Sequence, residues 1–106
     1  MQWKVEALPV ARAEIDALPR GLRAQMFRLM RMIEDYGLEQ MREPHVKHLD
    51  GKLWELPAKS VEGIARGLYA TVTGRREVVV HAFEKKTEKT PARALALARE
   101  RMKEIE

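Results

Sequence analysis

The fold is decided by residues 76–91, which read REVVVHAFEKKTEKTP. Valines and a phenylalanine dominate the first half of this segment and predict a strand over residues 77–83. The second half is rich in lysine and ends at Pro91, which is typical of the first turn of a helix, with Thr90 as its N-cap. We therefore expect a strand that carries His81, then a cationic segment, then a C-terminal helix.

The N-terminal half of the chain predicts one strand and two helices. Apolar and polar residues alternate over residues 3–7, as in a half-buried strand. Helix-forming residues, and apolar positions that recur at steps of three and four, predict helices over residues 11–18 and 22–36. Gly37 is a natural end for the second helix. Residues 38–50 have no clear period and are expected to be irregular.

The C-terminal half completes a small antiparallel sheet. Strands are predicted over residues 52–56 and 64–72, and short turns join them to the strand over residues 77–83 as a meander. The expected fold class is α+β, in the order β-α-α-β-β-β-α. An N-terminal helical hairpin and a C-terminal helix are expected to pack the sheet. All residues, 1–106, are expected to form a single domain.

The composition restricts the possible functions. The 106 residues include no cysteine, which excludes disulfides and cysteine nucleophiles. Neither an apolar signal segment nor a run of roughly 20 apolar residues is present, so we expect a cytoplasmic protein without a membrane partner. The net charge of +4 favours anionic partners, such as nucleic acid or an acidic protein.

Arg66 is a candidate site residue because it stands inside an otherwise apolar strand. A buried guanidinium is costly without a partner. If the hairpin is symmetric about residues 59–61, Glu55 faces Arg66 across the ladder and forms a structural ion pair. The alternative is a phosphate-binding role, and the two roles are compatible. Gly67 beside it would let a backbone or a ligand approach closely.

His81 and the cations that follow it form a second candidate cluster. His81 is either a satisfied core group or a proton carrier suited to neutral pH. Lys85 and Lys86 are consecutive, so on an extended chain they point to opposite sides. Lys89 and Arg93 can return toward the same sheet edge. The cluster is either a solvated charge run or a phosphate clamp.

The loop before the second predicted strand supplies further cations. Lys47 and Lys52 are candidates for the opposite wall of the same cleft, or for an ordinary polar loop. Trp54 is expected to lie in the core, with base stacking as the alternative. The histidines show no spacing typical of a metal site, so no metal is expected.

Three parts of the sequence together resemble a known family. They are VKHLDGKLWEL over residues 46–56, Arg66, and VHAFEKKTEKTP over residues 80–91. Over residues 3–105 the chain is similar to the phage-derived Gp49-like, HigB-type branch of the RelE/ParE toxins. The resemblance implies a type II toxin that enters the ribosomal A site and cuts mRNA there, as an endoribonuclease. It also implies a cognate antitoxin with a helix-turn-helix.

The resemblance implies a chemistry without metal or other cofactor, in which the RNA 2′-hydroxyl attacks the neighbouring phosphate. Arg66 would hold that phosphate, and Lys85 or Lys86 would neutralise the transition state. His81 would move a proton. Flanking phosphates would be bound by Lys47 and Lys52.

The sequence departs from the family pattern at three positions. Pro57 stands where an arginine is common, Ala65 where an aromatic residue is common, and Ala82 where glycine is common. Two alternatives to the nuclease remain. One is a ParE-like inhibitor of DNA gyrase, which shares the fold. The other, favoured by the missing cation at Pro57, is a catalytically weakened relative that serves as a binding or regulatory module.

Overall fold

A computed structural model of the chain describes residues 3–38, 41, 46–85 and 90–105. Within these ranges, five strands and three helices follow one another as β1 (Lys4–Ala7), α1 (Pro9–Asp16), α2 (Arg20–Tyr36), β2 (Lys47–Asp50), β3 (Leu53–Ser60), β4 (Gly63–Val72), β5 (Arg76–Glu84) and α3 (Ala92–Met102). None of the described helices is both long and apolar enough to cross a bilayer. The α+β class and the predicted succession of elements are confirmed, with one additional strand.

The strands form one sheet in the order β1-β5-β4-β3-β2. The meander β3-β4-β5 is antiparallel, as expected. Two features differ from the prediction. β2 lies in the segment expected to be irregular and pairs with β3. β1 runs parallel to β5, so the sheet is mixed; the connection between these two strands contains α1, α2 and the other three strands, which is long enough to permit this.

The sheet has two differently covered faces. We call the face that packs against α1 and α2 the hairpin face; its strand residues include Leu56, Ala65 and Tyr69. We call the opposite face the α3 face; Leu68 and Val80 pack there against alanines of α3. Because side chains alternate along a strand, each polar strand residue can be assigned to one of these faces.

Gly67 serves helix packing and not ligand access. It lies on the hairpin face, where a Cβ at this position would come within 2.8 Å of the Met26 sulfur of α2. Met26 is fully buried. A group does approach Gly67 closely, as expected, but it is the buried side chain of Met26 and not a ligand.

The hairpin face also buries a carboxyl group. Glu77 is 0% exposed, and neither of its carboxyl oxygens has a hydrogen-bond partner among the described residues. Burial raises the pKa of Glu77 to about 8, so this group folds in its protonated form at neutral pH. Burial and the nearby Glu77 also raise the pKa of Tyr69.

The N-termini of α2 and α3 differ in how they are capped. The backbone N–H groups of Gly21 and Leu22 donate to Glu62 Oε1, at 2.6 and 3.2 Å, so the β3–β4 turn caps α2. In α3 the N-cap is Pro91, one residue later than predicted. Thr90 does not cap the helix, because its hydroxyl donates to Glu55.

Candidate functional site

A β-bulge in β5 turns His81 toward the α3 face. His81 pairs with Leu68, whereas Val79 pairs with Tyr69, so Val80 is one extra residue on β5. Leu68 and Val80 both belong to the core of the α3 face. His81 therefore lies on the same face as its partner Leu68, although simple alternation from Val80 would place it on the hairpin face.

Arg66 lies on the α3 face and is bound to Glu55. Its Nη1 donates to Glu55 Oε1 at 2.7 Å, and the Thr90 hydroxyl donates to Oε2 of the same carboxylate. The expected ion pair is confirmed, but the expected register is wrong. Arg66 pairs with Pro57, and Glu55 pairs with Leu68, so the bond runs diagonally across the β3–β4 ladder.

Part of the Arg66 guanidinium is not used by this ion pair. The side chain is 14% exposed. Its Nε is buried without a partner, and Nη2 has no hydrogen bond to any residue in the described part of the chain. Because a guanidinium carries five N–H donors, Arg66 retains donors for an anion while Glu55 orients it.

A cavity of about 530 Å³ opens on the same face, between the end of β5 and the first turns of α3. The His81 ring stacks on the Phe83 ring, with centroids 4.9 Å apart and planes 30° apart, and both side chains line the cavity. Arg93 lines it from α3. Arg66 does not line the cavity, but it is the ladder partner of Phe83 and so lies beside it.

Glu14 of α1 lies at the edge of β5 next to this cavity and accepts hydrogen bonds there. Its Oε1 accepts hydrogen bonds from His81 Nδ1 at 2.9 Å, Arg101 Nη1 at 2.8 Å and the Ala82 backbone N–H at 3.1 Å. Burial opposes ionisation of Glu14, but the bonds from Arg101 and His81 outweigh it and lower the pKa of the carboxyl. Arg101 Nη1 also donates to the Val80 carbonyl at 2.9 Å.

The remaining candidate cations are distributed as follows. Lys47 of β2 is exposed and pairs with Glu55, which places it on the α3 face. Lys52 is exposed in the turn before β3. The backbone N–H of Lys85 donates to Ile64, so this lysine continues the β4–β5 ladder. Lys86 and Lys89 lie outside the described residues.

Sequence reasoning missed Glu14, Arg101 and the Thr90 hydroxyl as parts of this site. Each is a polar residue on or next to a helix and is far from its partner in sequence, so no local pattern identifies it. Trp54 packs against the core of the hairpin face, as expected, and its ring contacts His48 at 4.6 Å between centroids. In the described ranges, no group of three or more histidines and carboxylates is arranged to hold a metal ion.

Comparisons with known proteins identify the fold and the family. A comparison with curated proteins found no match. The fold resembles a toxin-antitoxin complex, RelBE2, from Mycobacterium tuberculosis, with 16% identity, a TM-score of 0.55, and 82% of this chain and 95% of that chain covered. It also resembles an archaeal RelE-RelB complex from Pyrococcus horikoshii, with 16% identity, a TM-score of 0.61, and 81% and 98% covered.

The family match is more extensive than these structural likenesses. The family model described as phage derived protein Gp49-like matches residues 13–103, which include the second half of α1, the whole meander and α3. The match covers Arg66, His81 and every other residue of the site described above. The chain therefore belongs to the phage-derived Gp49-like family and has a RelE-like fold.

Proposed function

We propose that this chain is the toxin of a type II toxin-antitoxin pair and that it cleaves mRNA on the ribosome. The observation that carries the proposal is the cavity on the α3 face, where His81, Phe83 and Arg93 meet next to Arg66. A proton carrier, an aromatic ring and two cations in or beside one cavity are the groups that binding and cutting a sugar-phosphate chain require.

The reaction would be an internal phosphoryl transfer. The RNA 2′-oxygen bonds to phosphorus as its proton passes to His81, and the bond from phosphorus to the 5′-oxygen breaks. The leaving oxygen takes up a proton from water, which gives a 2′,3′-cyclic phosphate end and a 5′-hydroxyl end, and His81 returns its proton to the solvent. Arg66 and Lys85 or Lys86 would stabilise the charge that builds on the phosphate oxygens.

The other cations would position the RNA backbone. The proposed phosphate contacts are Arg93 of α3, Lys89, Lys47 of β2 and Lys52 of the turn before β3. Such contacts are electrostatic and carry no sequence information, so they set affinity and register but not codon preference. The rings of His81 and Phe83 would support an unpaired base.

A cognate antitoxin is the proposed protein partner. Both solved structures described above are toxin-antitoxin complexes, and their toxin fold is the fold of this chain. The proposed antitoxin carries a helix-turn-helix and binds the single toxin domain that we propose residues 1–106 to form. Co-purification of a tagged chain from its native host would recover this partner, and recovery of the chain alone in every preparation would contradict the proposal.

One observation favours a second candidate, a catalytically weakened relative that acts as a binding module. Pro57 is the ladder partner of Arg66, and at this position the family commonly has an arginine. A cation there would share the α3 face with Arg66. Without it, the phosphate-binding face has one positive charge fewer, which weakens RNA binding and leaves protein binding intact.

Induced expression in cells, with sequencing of new mRNA 5′ ends, tests the proposal. Wild type is expected to arrest growth and to produce cuts in translated mRNAs, and Arg66→Ala is expected to abolish both. Arg31→Ala is the matched control, because Arg31 is exposed on α2, away from the α3 face. DNA damage signalling without mRNA cuts would indicate gyrase inhibition instead. Absence of toxicity would favour the weakened relative.

A further inference from the structure

We propose that Glu14 is a positioning residue for His81. It holds the neutral imidazole in the tautomer that carries its proton on Nδ1, so that the lone pair of Nε2 is available at the cavity. The catalytic meaning of this inference rests on the proposed function. The tautomer itself can be measured whether or not the protein cuts RNA.

The hydrogen bonds of Glu14 determine which nitrogen carries the proton. An ionised carboxylate only accepts hydrogen bonds, and three donors converge on Glu14 Oε1 from three different residues. The 2.9 Å contact from His81 therefore requires a proton on Nδ1. The lowered pKa of Glu14 agrees, because the charged carboxylate is the form that these donors stabilise.

Arg101 does not reverse this assignment. Its Nη1 lies 3.4 Å from His81 Nδ1, and an arginine can only donate, so that contact would require an unprotonated Nδ1. The same Nη1 lies closer to Glu14 Oε1, at 2.8 Å, and to the Val80 carbonyl, at 2.9 Å. Shorter bonds to two oxygens are the stronger ones, so Arg101 serves as a second anchor for Glu14.

Nε2 is then the nitrogen that is left to exchange a proton with a bound substrate. It has no hydrogen-bond partner among the residues that the structure describes, and His81 lines the cavity with 12% of its side chain exposed. With Nδ1 protonated, Nε2 can accept the proton of a 2′-hydroxyl. In the opposite tautomer Nε2 carries a proton and cannot act as the base.

Nitrogen-15 NMR of histidine-labelled protein tests the assignment. His81 is identified by the signals that His81→Ala removes, and its two nitrogens are distinguished by their shifts and couplings. In wild type, neutral His81 is expected to be protonated on Nδ1. Glu14→Ala is expected to move the proton to Nε2, which the histidine side chain favours in water. A wild-type proton on Nε2, or an unchanged tautomer in Glu14→Ala, would overturn the inference.

Asp16→Ala is the matched control. It removes a carboxylate from the same helix, but this carboxylate is exposed and pairs with Arg12. The tautomer of His81 is expected to stay as in wild type. If Glu14→Ala does not fold, Glu14→Gln replaces it. Its amide can present an oxygen or an NH₂ group to Nδ1, so a mixture of tautomers is expected, and a pure wild-type tautomer would contradict the proposal.

A cleavage assay adds the kinetic readout. Glu14→Ala is expected to lower the single-turnover rate by about 10- to 100-fold, within the contribution of a general base. The affinity for RNA is expected to stay within about threefold, and Glu14→Gln is expected to recover part of the rate. An unchanged rate despite a changed tautomer would refute the positioning role. If wild type cuts no RNA, the proposed function fails, and the NMR result still decides whether Glu14 sets the tautomer.

Discussion

Glu55 and Arg66 are bound to each other diagonally across the β3–β4 ladder, with 2.7 Å between Oε1 and Nη1. Glu55 is 2% exposed and also accepts a hydrogen bond from the hydroxyl of Thr90, which precedes α3. One buried carboxylate therefore orients the candidate phosphate-binding arginine and ties it to the segment that leads into the C-terminal helix.

Glu55→Ala is expected to destabilise the protein by about 2–4 kcal/mol, because it leaves a mostly buried guanidinium without its counter-charge. Urea denaturation measures this change. Asp50→Ala is the control, since the Asp50–Arg99 pair is exposed and its loss should cost less than about 1 kcal/mol. Equal effects of the two substitutions would show that Glu55 does not stabilise Arg66.

Arg93→Ala is expected to reduce the salt dependence of RNA binding. Removing one phosphate contact with a single strand makes the slope of log K against log salt shallower by about 0.7. Fluorescence anisotropy with a labelled single-stranded RNA at several salt concentrations gives the slope. Arg31→Ala should leave it unchanged, because Arg31 lies on α2. The same slope in wild type and Arg93→Ala would show that Arg93 does not contact an RNA phosphate.

Glu77→Gln is expected to flatten the dependence of stability on pH. The folded-state pKa of about 8 lies above the value of 4.5 for an exposed carboxyl, so folding favours the protonated form. This contribution is complete below about pH 4.5 and is lost as the pH rises through 8. At about 1.4 kcal/mol per pKa unit, wild type should lose a few kcal/mol across that window.

Urea midpoints from about pH 5 to about pH 9, a range that brackets the raised pKa, measure the effect of Glu77. Glu77→Gln should become more stable than wild type at the alkaline end, since a neutral amide avoids the buried charge. Glu100→Gln is the control, because Glu100 is exposed on α3. A difference between wild type and Glu77→Gln that stays constant with pH would refute the buried-carboxyl account.

Glu62→Ala is expected to lower stability by about 1 kcal/mol, because it leaves two N–H groups of the first turn of α2 without their acceptor. Glu62→Gln keeps an oxygen acceptor and should lose less. Thermal unfolding followed by circular dichroism compares the two variants. If both lose the same stability, the carboxylate does not act as a cap.

Much of the fold could be predicted from the sequence because its signals are local. The alternation in β1, the apolar stripe of α2 and the proline before α3 each depend on neighbouring residues. β2 could not be predicted, because it is a short edge strand and forms only through its tertiary contact with β3. The direction of β1 relative to β5 also depends on the path of the long connection between these two strands, which no local pattern shows.

The site could be predicted in its parts but not in its arrangement. Arg66 and His81 stand out in apolar strands, and the ion pair between Arg66 and Glu55 was predicted, although from a hairpin register that the structure does not have. The bulge at Val80 has no sequence signature, although it decides which face His81 occupies. Glu14 lies 67 residues before His81, and only the packing of α1 on the edge of β5 reveals their contact.

The parallel pairing of β1 with β5 has a consequence for biosynthesis. Lys4 aligns with Arg76, so β1 leaves the ribosome about seventy residues before its partner strand does. His81, Arg93 and Arg101, which binds Glu14, are synthesised later still. A chain that stops before α3 therefore lacks the cavity, and one that stops before β5 also lacks the completed sheet, so the proposed activity can begin only after α3 has been synthesised.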